Sequence, residues 1–501
     1  MIPPSSSSLL PNDSSSNTAA ASVVLARNAQ LAQQHSSPVG SIARILPSLP
    51  NTAADDAASI KDPASSFSFQ KPIVIHFDIN ETILIGDEAG GDSVEDCLHK
   101  MIAKSAMVQI PPEHIIAPTA SSQSTTTDIQ DDNDAILYEN TLGLQPTHWW
   151  NGDSIHDPKS VPPLFTGWHW PEHCDAYYRC QKQHARSFCH SPRGQIYQPT
   201  LEFLQQTLNK GAGDSHQHEE KPPSAKRNKQ NEQEEQGEEE SKSNNDIIPH
   251  NNPLLLHVIP AFWKTLQCIS QQRQAQPHMG ICFRTFGSDL PDLVQAMNLF
   301  AQGRHPHYPH VRDARWKMTH DQLYTLKWKK SVADGQSTET PNPSNKSNDP
   351  TEFTLELWNY DGDTLVATGD DAILQVIQQH DICGIRDDYE FWRHHGKYPW
   401  AGKPIWQQPP HDDSTYHHVL LDDNIHNLDT YSIASVRQCR ITKNSNDDTR
   451  WRTLSSTEIR QAHGRHLIRV PTIEPLLDED WFIRQIQLSH QAFCKEYTNT
   501  K

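Results

Sequence analysis

The chain lacks any apolar run long enough to span a bilayer, which takes about 20 residues. It lacks a paired cysteine framework as well: its 9 cysteines are scattered, with no secretory signal. That pattern favours free thiols in a reducing, intracellular setting, the cytoplasm by expectation. Apolar residues are few, at 35%, and 36 prolines sit among long Ser, Asn, Gln and Glu runs. Such runs cannot bury enough surface to offset the entropy of ordering them. Positive charge is also in deficit. The formal net charge of −19 repels nucleic acid and anionic membranes, so neither is an expected partner. The acidic run from Glu232 to Glu240 inflates that figure and reads as a solvated spacer, with a small basic patch of Lys226, Arg227 and Lys229 before it. Acid is scarce in residues 1–50, where Asp13 stands alone beside Arg27 and Arg44. That composition suits an organelle transit peptide, and more readily a plain disordered tail. No internal repeat is present.

What remains is one ordered α/β body interrupted by polar segments. Residues 1–68 read as a disordered tail, 214–252 as a charged linker and 333–350 as a disordered insert. The body comprises 69–108 and 253–494, and 109–213 form an aromatic insertion within it. Order begins with Ile73, Val74, Ile75 and Phe77, a continuous apolar run suited to a strand covered on both faces. Ser93 and Asp96 predict a helix start, with Val94, Leu98, Met101 and Ile102 on one face. A helix through Val258, Phe262, Leu266 and Ile269 leads to a strand at Met279–Phe283, then to a helix from Ser288 or Asp289 to Ala301. Phe353–Trp358 and Leu365–Ala367 flank Asp361-Gly362 as a β-hairpin. Further elements are expected at Asp371–Gln379 (helix), Ile382–Ile385, Tyr416–Leu421 and Leu467–Val470 (strands), and around Trp481–Phe493 (helix). Strands alternating with helices argue for a doubly wound parallel sheet.

In such sheets ligands gather beyond the carboxyl ends of the strands. Strand one runs into Asp78-Ile79-Asn80-Glu81-Thr82, strand two into Arg284-Thr285-Phe286-Gly287, and a later strand into Asp422-Asp423-Asn424. Lys403, in Gly402-Lys403-Pro404, lies between the last two; Lys397 is its rival. Each feature alone is common. The chain order of acid, hydroxyl, lysine and acid pair is far less so.

These four segments resemble the motifs of the haloacid-dehalogenase-like hydrolase superfamily. Arg284–Asp289 and Arg386-Asp387-Asp388-Tyr389 also look like a eukaryotic branch of it, of unassigned substrate, with D-x-N-x-T in place of D-x-D-x-T. The resemblance covers roughly residues 71–108, 253–302 and 380–490. It implies a Rossmann-like core with an inserted cap, and Mg²⁺ held by Asp78, the Asn80 backbone carbonyl, Asp422 and Asp423. It implies a phosphohydrolase acting on a phosphorylated small molecule. Asp78 would attack phosphorus, Thr285 would hold phosphate oxygens and Lys403 would balance charge. Where these hydrolases carry a second Asp, this chain has Asn80. An amide exchanges no proton at neutral pH, so general acid–base help of roughly 10²–10⁴-fold is missing from that position. A relative that only binds phosphorylated ligands or protein partners is the alternative.

In the insertion, Trp149, Trp150, Trp168 and Trp170 are expected to be partly core, with one or two facing the active-site mouth, and Arg193 to meet an anionic substrate. His173, Cys174, Cys180, His184, Cys189 and His190 crowd together, but their spacing fits no common structural-zinc pattern. They read as a buried aromatic and thiol cluster.

Overall fold

The structure is a computed structural model. It describes residues 69–86, 91–110, 146–166, 171, 173–180, 182–213, 257–271, 278–305, 308–309, 311–330, 352–408, 415–426, 432–441, 449–471 and 473–499. The expected tail at 1–68, linker at 214–252 and insert at 333–350 lie outside these residues, as do Trp168 and Trp170. The strands in chain order are β1 (Ile73–Asp78), β2 (Met107–Gln109), β3 (Cys174–Ala176), β4 (Met279–Thr285), β5 (Leu323–Lys330), β6 (Phe353–Asn359) and β7 (Leu365–Thr368). There follow β8 (Ile382–Arg386), β9 (Lys403–Gln407), β10 (His417–Asp422), β11 (Ala434–Ile441), β12 (Thr449–Thr453) and β13 (Leu467–Arg469). The helices used below are α1 (Val94–Ser105), α2 (Pro260–Gln271), α3 (Leu290–Ala301), α4 (Asp370–Gln378), α5 (Tyr389–His394) and α6 (Trp481–Asn499).

The chain divides into two units: residues 1–55 with 99–198, and residues 56–98 with 199–501. In the larger one, eight strands form a sheet in the order β13-β10-β1-β4-β8-β5-β6-β7. From β13 to β5 all neighbours pair in parallel; β6 is antiparallel to both β5 and β7. The chain leaves β1 on the β4 side and returns to it on the β10 side. The strand order therefore reverses at β1, and a crevice opens where ligands bind in such sheets.

Alternation along β1 explains the two covered faces. Phe77 meets Phe262 of α2 and Phe482 of α6 edge-on, each at 5.4 Å between ring centroids. Val74 faces the other way, into a core shared with Leu326, Leu355, Leu357 and Ile385 and with Ile373, Leu374 and Ile377 of α4. Burying both faces requires the continuous apolar run that the sequence carries there. A Phe77→Ala truncation in such a core typically costs about 3–5 kcal/mol. Capping also follows the local sequence. Ser93 Oγ accepts from the Asp96 N–H at 3.1 Å while Asp96 Oδ2 accepts from the Ser93 N–H at 2.9 Å, closing the start of α1.

Two features were not foreseen. β5 inserts between β8 and the hairpin, and β9, β11 and β12 form a separate small sheet in which β9 pairs with β11 in parallel. Lys403 thus opens a strand instead of lying in a loop. Gly402 permits this approach, because a Cβ there would lie 1.9 Å from the Ile433 carbonyl oxygen.

The smaller unit pairs β2 with β3 antiparallel. Trp149 is fully buried, and its ring meets Tyr197 at 5.6 Å, while Tyr177 meets Phe188 at 4.7 Å. Trp149 is core, then, and not part of a substrate platform. Trp150 is half-buried, with its indole N–H donating to the Pro163 carbonyl at 2.8 Å. Burial pushes the Cys189 thiol up to about 12, as burial and then Asp175 do for Cys174, so both stay protonated. Neither belongs to a metal-ligating group among the described residues. Arg193 is half-buried in the turn after the 3-10 helix Lys182–His190 of this unit. Among the described residues no helix is long and apolar enough to cross a membrane.

Candidate active site

β1 ends on Asp78, and a tight turn follows it. The Ile79 carbonyl accepts from the N–H groups of Ile83 at 3.0 Å and Leu84 at 2.9 Å, and Glu81 takes a left-handed φ of 58°. The turn brings Thr82 back over the strand end, where its hydroxyl donates to Asp78 Oδ2 at 3.3 Å. The Thr82 hydroxyl oxygen accepts from the Asp423 N–H at 3.1 Å, tying the loop after β1 to the loop after β10. Parallel register does the rest. Phe77 lies level with Leu421, and Asp78 with Arg284, so the residues ending β1, β4 and β10 share one rim of the sheet.

Lys403 reaches this rim from β9. Its ammonium donates to Asp78 and, at 2.8 Å, to Asp422 Oδ2. Asp422 Oδ1 accepts from the Asn424 N–H at 2.8 Å, and Asp423 Oδ1 accepts from the Asn424 amide at 2.9 Å. Asp78, Asp422 and Asp423 each offer an oxygen within 4.8 Å of the others, and all three are buried. Asp78 and Asp422 therefore share one ammonium away from bulk water, and Arg469 acts electrostatically on Asp423. Burial first, and then Asp422, raise the Asp78 carboxyl well above its ordinary range despite Lys403. Burial alone would pull Lys403 down; Asp422 and Asp78 outweigh it and hold the amine firmly protonated. Lys397, the rival lysine, sits half-buried at a left-handed φ of 55° in the turn after α5. Of the two, Lys403 is the one bonded to Asp78 and Asp422.

At the end of β4, the Thr285 hydroxyl accepts from the Gly287 N–H at 2.8 Å and donates to Asp289 Oδ2 at 3.0 Å. That carboxylate oxygen also accepts from the Asn80 amide at 3.2 Å, while the buried Asn80 Oδ1 has no hydrogen-bond partner. Beside it, Arg284 is fully buried. It grips Asp387 through two guanidinium nitrogens, with the Nε contact at 3.0 Å, and donates to the Pro404 carbonyl at 2.8 Å. The last contact braces the strand that carries Lys403.

Compared with family models, with curated proteins and with solved structures, the chain matches none. Its chemistry must be argued from the rim itself. A buried group of three carboxylates, built on oxygen donors, fits a hard divalent cation such as Mg²⁺. The Arg284–Asp387 and Asn80–Asp289 contacts were missed by sequence reasoning. The usable signal was Arg284 ending a buried apolar strand, since such a cation demands an acid on a neighbouring strand end.

Proposed function

We propose that this chain is a Mg²⁺-dependent phosphohydrolase of the haloacid-dehalogenase-like kind, acting on a phosphate monoester through Asp78. One observation carries the reading. Lys403 is shared between Asp78 and Asp422, with Asp423 beside them, at the strand ends where the sheet order reverses. Asp78, Asp422, Asp423 and the Asn80 backbone carbonyl would hold the cation, which when bound offsets the charge of an incoming phosphate. Asp78 attacks phosphorus in line, giving an aspartyl-phosphate and releasing the ester oxygen. Thr82 and Lys403 keep the nucleophile oriented, and Lys403 balances its charge. Thr285 and nearby backbone N–H groups hold phosphate oxygens. The residues around positions 109–213 would serve as the cap that selects a phosphorylated small molecule.

Asn80 favours a second reading: a weak or inactive relative that binds phosphorylated ligands or partners. Metal-dependent turnover of 4-nitrophenyl phosphate separates the two, since its leaving group needs little protonation. Activity that disappears with chelation and with Asp78→Asn supports the enzyme. Activity that survives both rules out the aspartate mechanism, and phosphate binding without turnover supports the binding protein.

A further inference from the structure

We propose that Asp289 is the proton donor and acceptor of this site, supplying what an amide at position 80 cannot; the inference rests on the phosphohydrolase reading above. Asp289 stands at the N-cap of α3, where an aspartate ordinarily accepts from the first N–H groups of the helix. Its side chain makes no such bond. Instead Oδ2 turns towards the rim and accepts from the Asn80 amide at 3.2 Å and the Thr285 hydroxyl at 3.0 Å. No protein hydrogen bond engages Oδ1 among the described residues, and the residue is only half-buried, so this oxygen is open to a ligand or water.

Two neighbours are shaped to this carboxylate. A Cβ at Gly287 would lie 2.5 Å from Asp289 Oδ2. Gly287 does not have a left-handed φ, so what glycine provides there is room for the carboxylate, which a Cβ would push out of this position. Asn80 is the second. A carboxylate at position 80 would face Asp289 at hydrogen-bond distance and repel it, whereas an amide donates to it. The unusual Asn80 and the uncapped Asp289 therefore explain each other: the carboxyl function has moved from the loop after β1 to the turn after β4.

The chemistry balances. As the Asp78–phosphorus bond forms and the ester phosphorus–oxygen bond breaks, the departing oxygen takes the proton of the Asp289 carboxyl. In the second half, Asp289 takes a proton from the water that attacks phosphorus. The bond to Asp78 then breaks, and inorganic phosphate leaves with Asp289 protonated again.

The test compares the full-length wild type with Asp289→Asn, Asn80→Asp, the double variant and Asp78→Asn, with Mg²⁺, on glycerol phosphate and 4-nitrophenyl phosphate. Asp289→Asn should lower kcat/KM for the alkyl ester by about 10²-fold or more, and for the aryl ester by less than about tenfold. It should also accumulate phosphoenzyme, read by intact-mass spectrometry, because water attack loses its base. Moving the carboxyl back, in Asn80→Asp with Asp289→Asn, should recover at least about tenfold on the alkyl ester. Asn80→Asp alone should bring no gain. Equal losses on both esters without phosphoenzyme, or no loss, overturn the role of Asp289 while leaving the phosphohydrolase reading intact. Activity that survives Asp78→Asn or chelation overturns that reading itself, and a wild type without Mg²⁺-dependent turnover overturns both.

Discussion

Two buried ionic clusters sit side by side on the same rim, and they differ in how their charges are met. Arg284 and Asp387 form a closed pair, with side chains 0% and 1% exposed. The guanidinium also donates to the Pro404 carbonyl and to His76 Nδ1, 3.4 Å away. A guanidinium can only donate, so His76 accepts at Nδ1 and presents Nε2–H to His418 Nδ1 at 3.0 Å. Both charges of the Arg284–Asp387 pair are met within the protein. Asp78, Asp422, Asp423 and Lys403 form the open cluster, in which one ammonium bridges two of three crowded carboxylates and Arg469 acts on the third, Asp423. Buried charge without a partner is costly, so a closed pair serves as framework and an open one as an invitation to a ligand.

The largest effect should come from breaking the open cluster. Asp78→Asn should lower phosphate-ester turnover by at least about 10⁴-fold, as expected when a nucleophile is removed. Its melting temperature should hold or rise, because one of three crowded carboxylates becomes neutral. Steady-state kinetics and thermal melts check both halves. A variant that unfolds would mean Asp78 belongs to the framework and would erase the contrast.

Breaking the closed pair should do the opposite. Arg284→Met leaves Asp387 buried alone and should cost about 3–5 kcal/mol in urea unfolding. Arg284→Met combined with Asp387→Leu should recover most of that loss. A small cost for the single variant would show that the pair adds little.

Acid attacks the closed side by another route. Burial above all holds His418 and His466 down to about 3 and His490 to about 4, and lowers His76 and His417 as well. These rings are neutral in the fold, while the unfolded chain takes up protons as pH falls through about 6.5. Their stabilising effect is therefore complete above that value. It declines as pH falls towards 4 for His490 and 3 for His418 and His466, by about 1.4 kcal/mol per pH unit for each ring. Asp78 and Asp387, whose carboxyls are raised by burial, oppose the trend once they protonate. Urea titrations between neutral pH and pH 4.5 measure the slope, and His418→Gln should flatten it. A flat profile would show that the rings are charged in the fold.

The smallest effect is expected where an ion pair faces water. Arg393 and Glu390 lie 2.7 Å apart with the carboxylate 72% exposed. Glu390→Gln should shift unfolding by no more than about 1 kcal/mol. A larger shift would mean that burial is not what separates strong pairs from weak ones here.

The two clusters also differ in how far they could be read without a structure. The apolar run before Asp78, and the one before Asp422 and Asp423, put those acids at strand ends because each run must be covered on both faces. The Ser93 cap and the Asp361-Gly362 hairpin were legible for the same local reasons. Which lysine serves Asp78 was not. Lys403 sits 325 residues from it, and the pairing of β9 with β11 sets its reach. The Arg284–Asp387 pair spans 103 residues and the Asn80–Asp289 contact 209. Such partners are chosen by the order of strands in the sheet, which no local pattern encodes. By itself the sequence determined which strands are buried and which acids end them, since periodicity and burial are local demands. Tertiary structure alone decided which charges meet, because parallel register brings strand ends together whatever their distance along the chain.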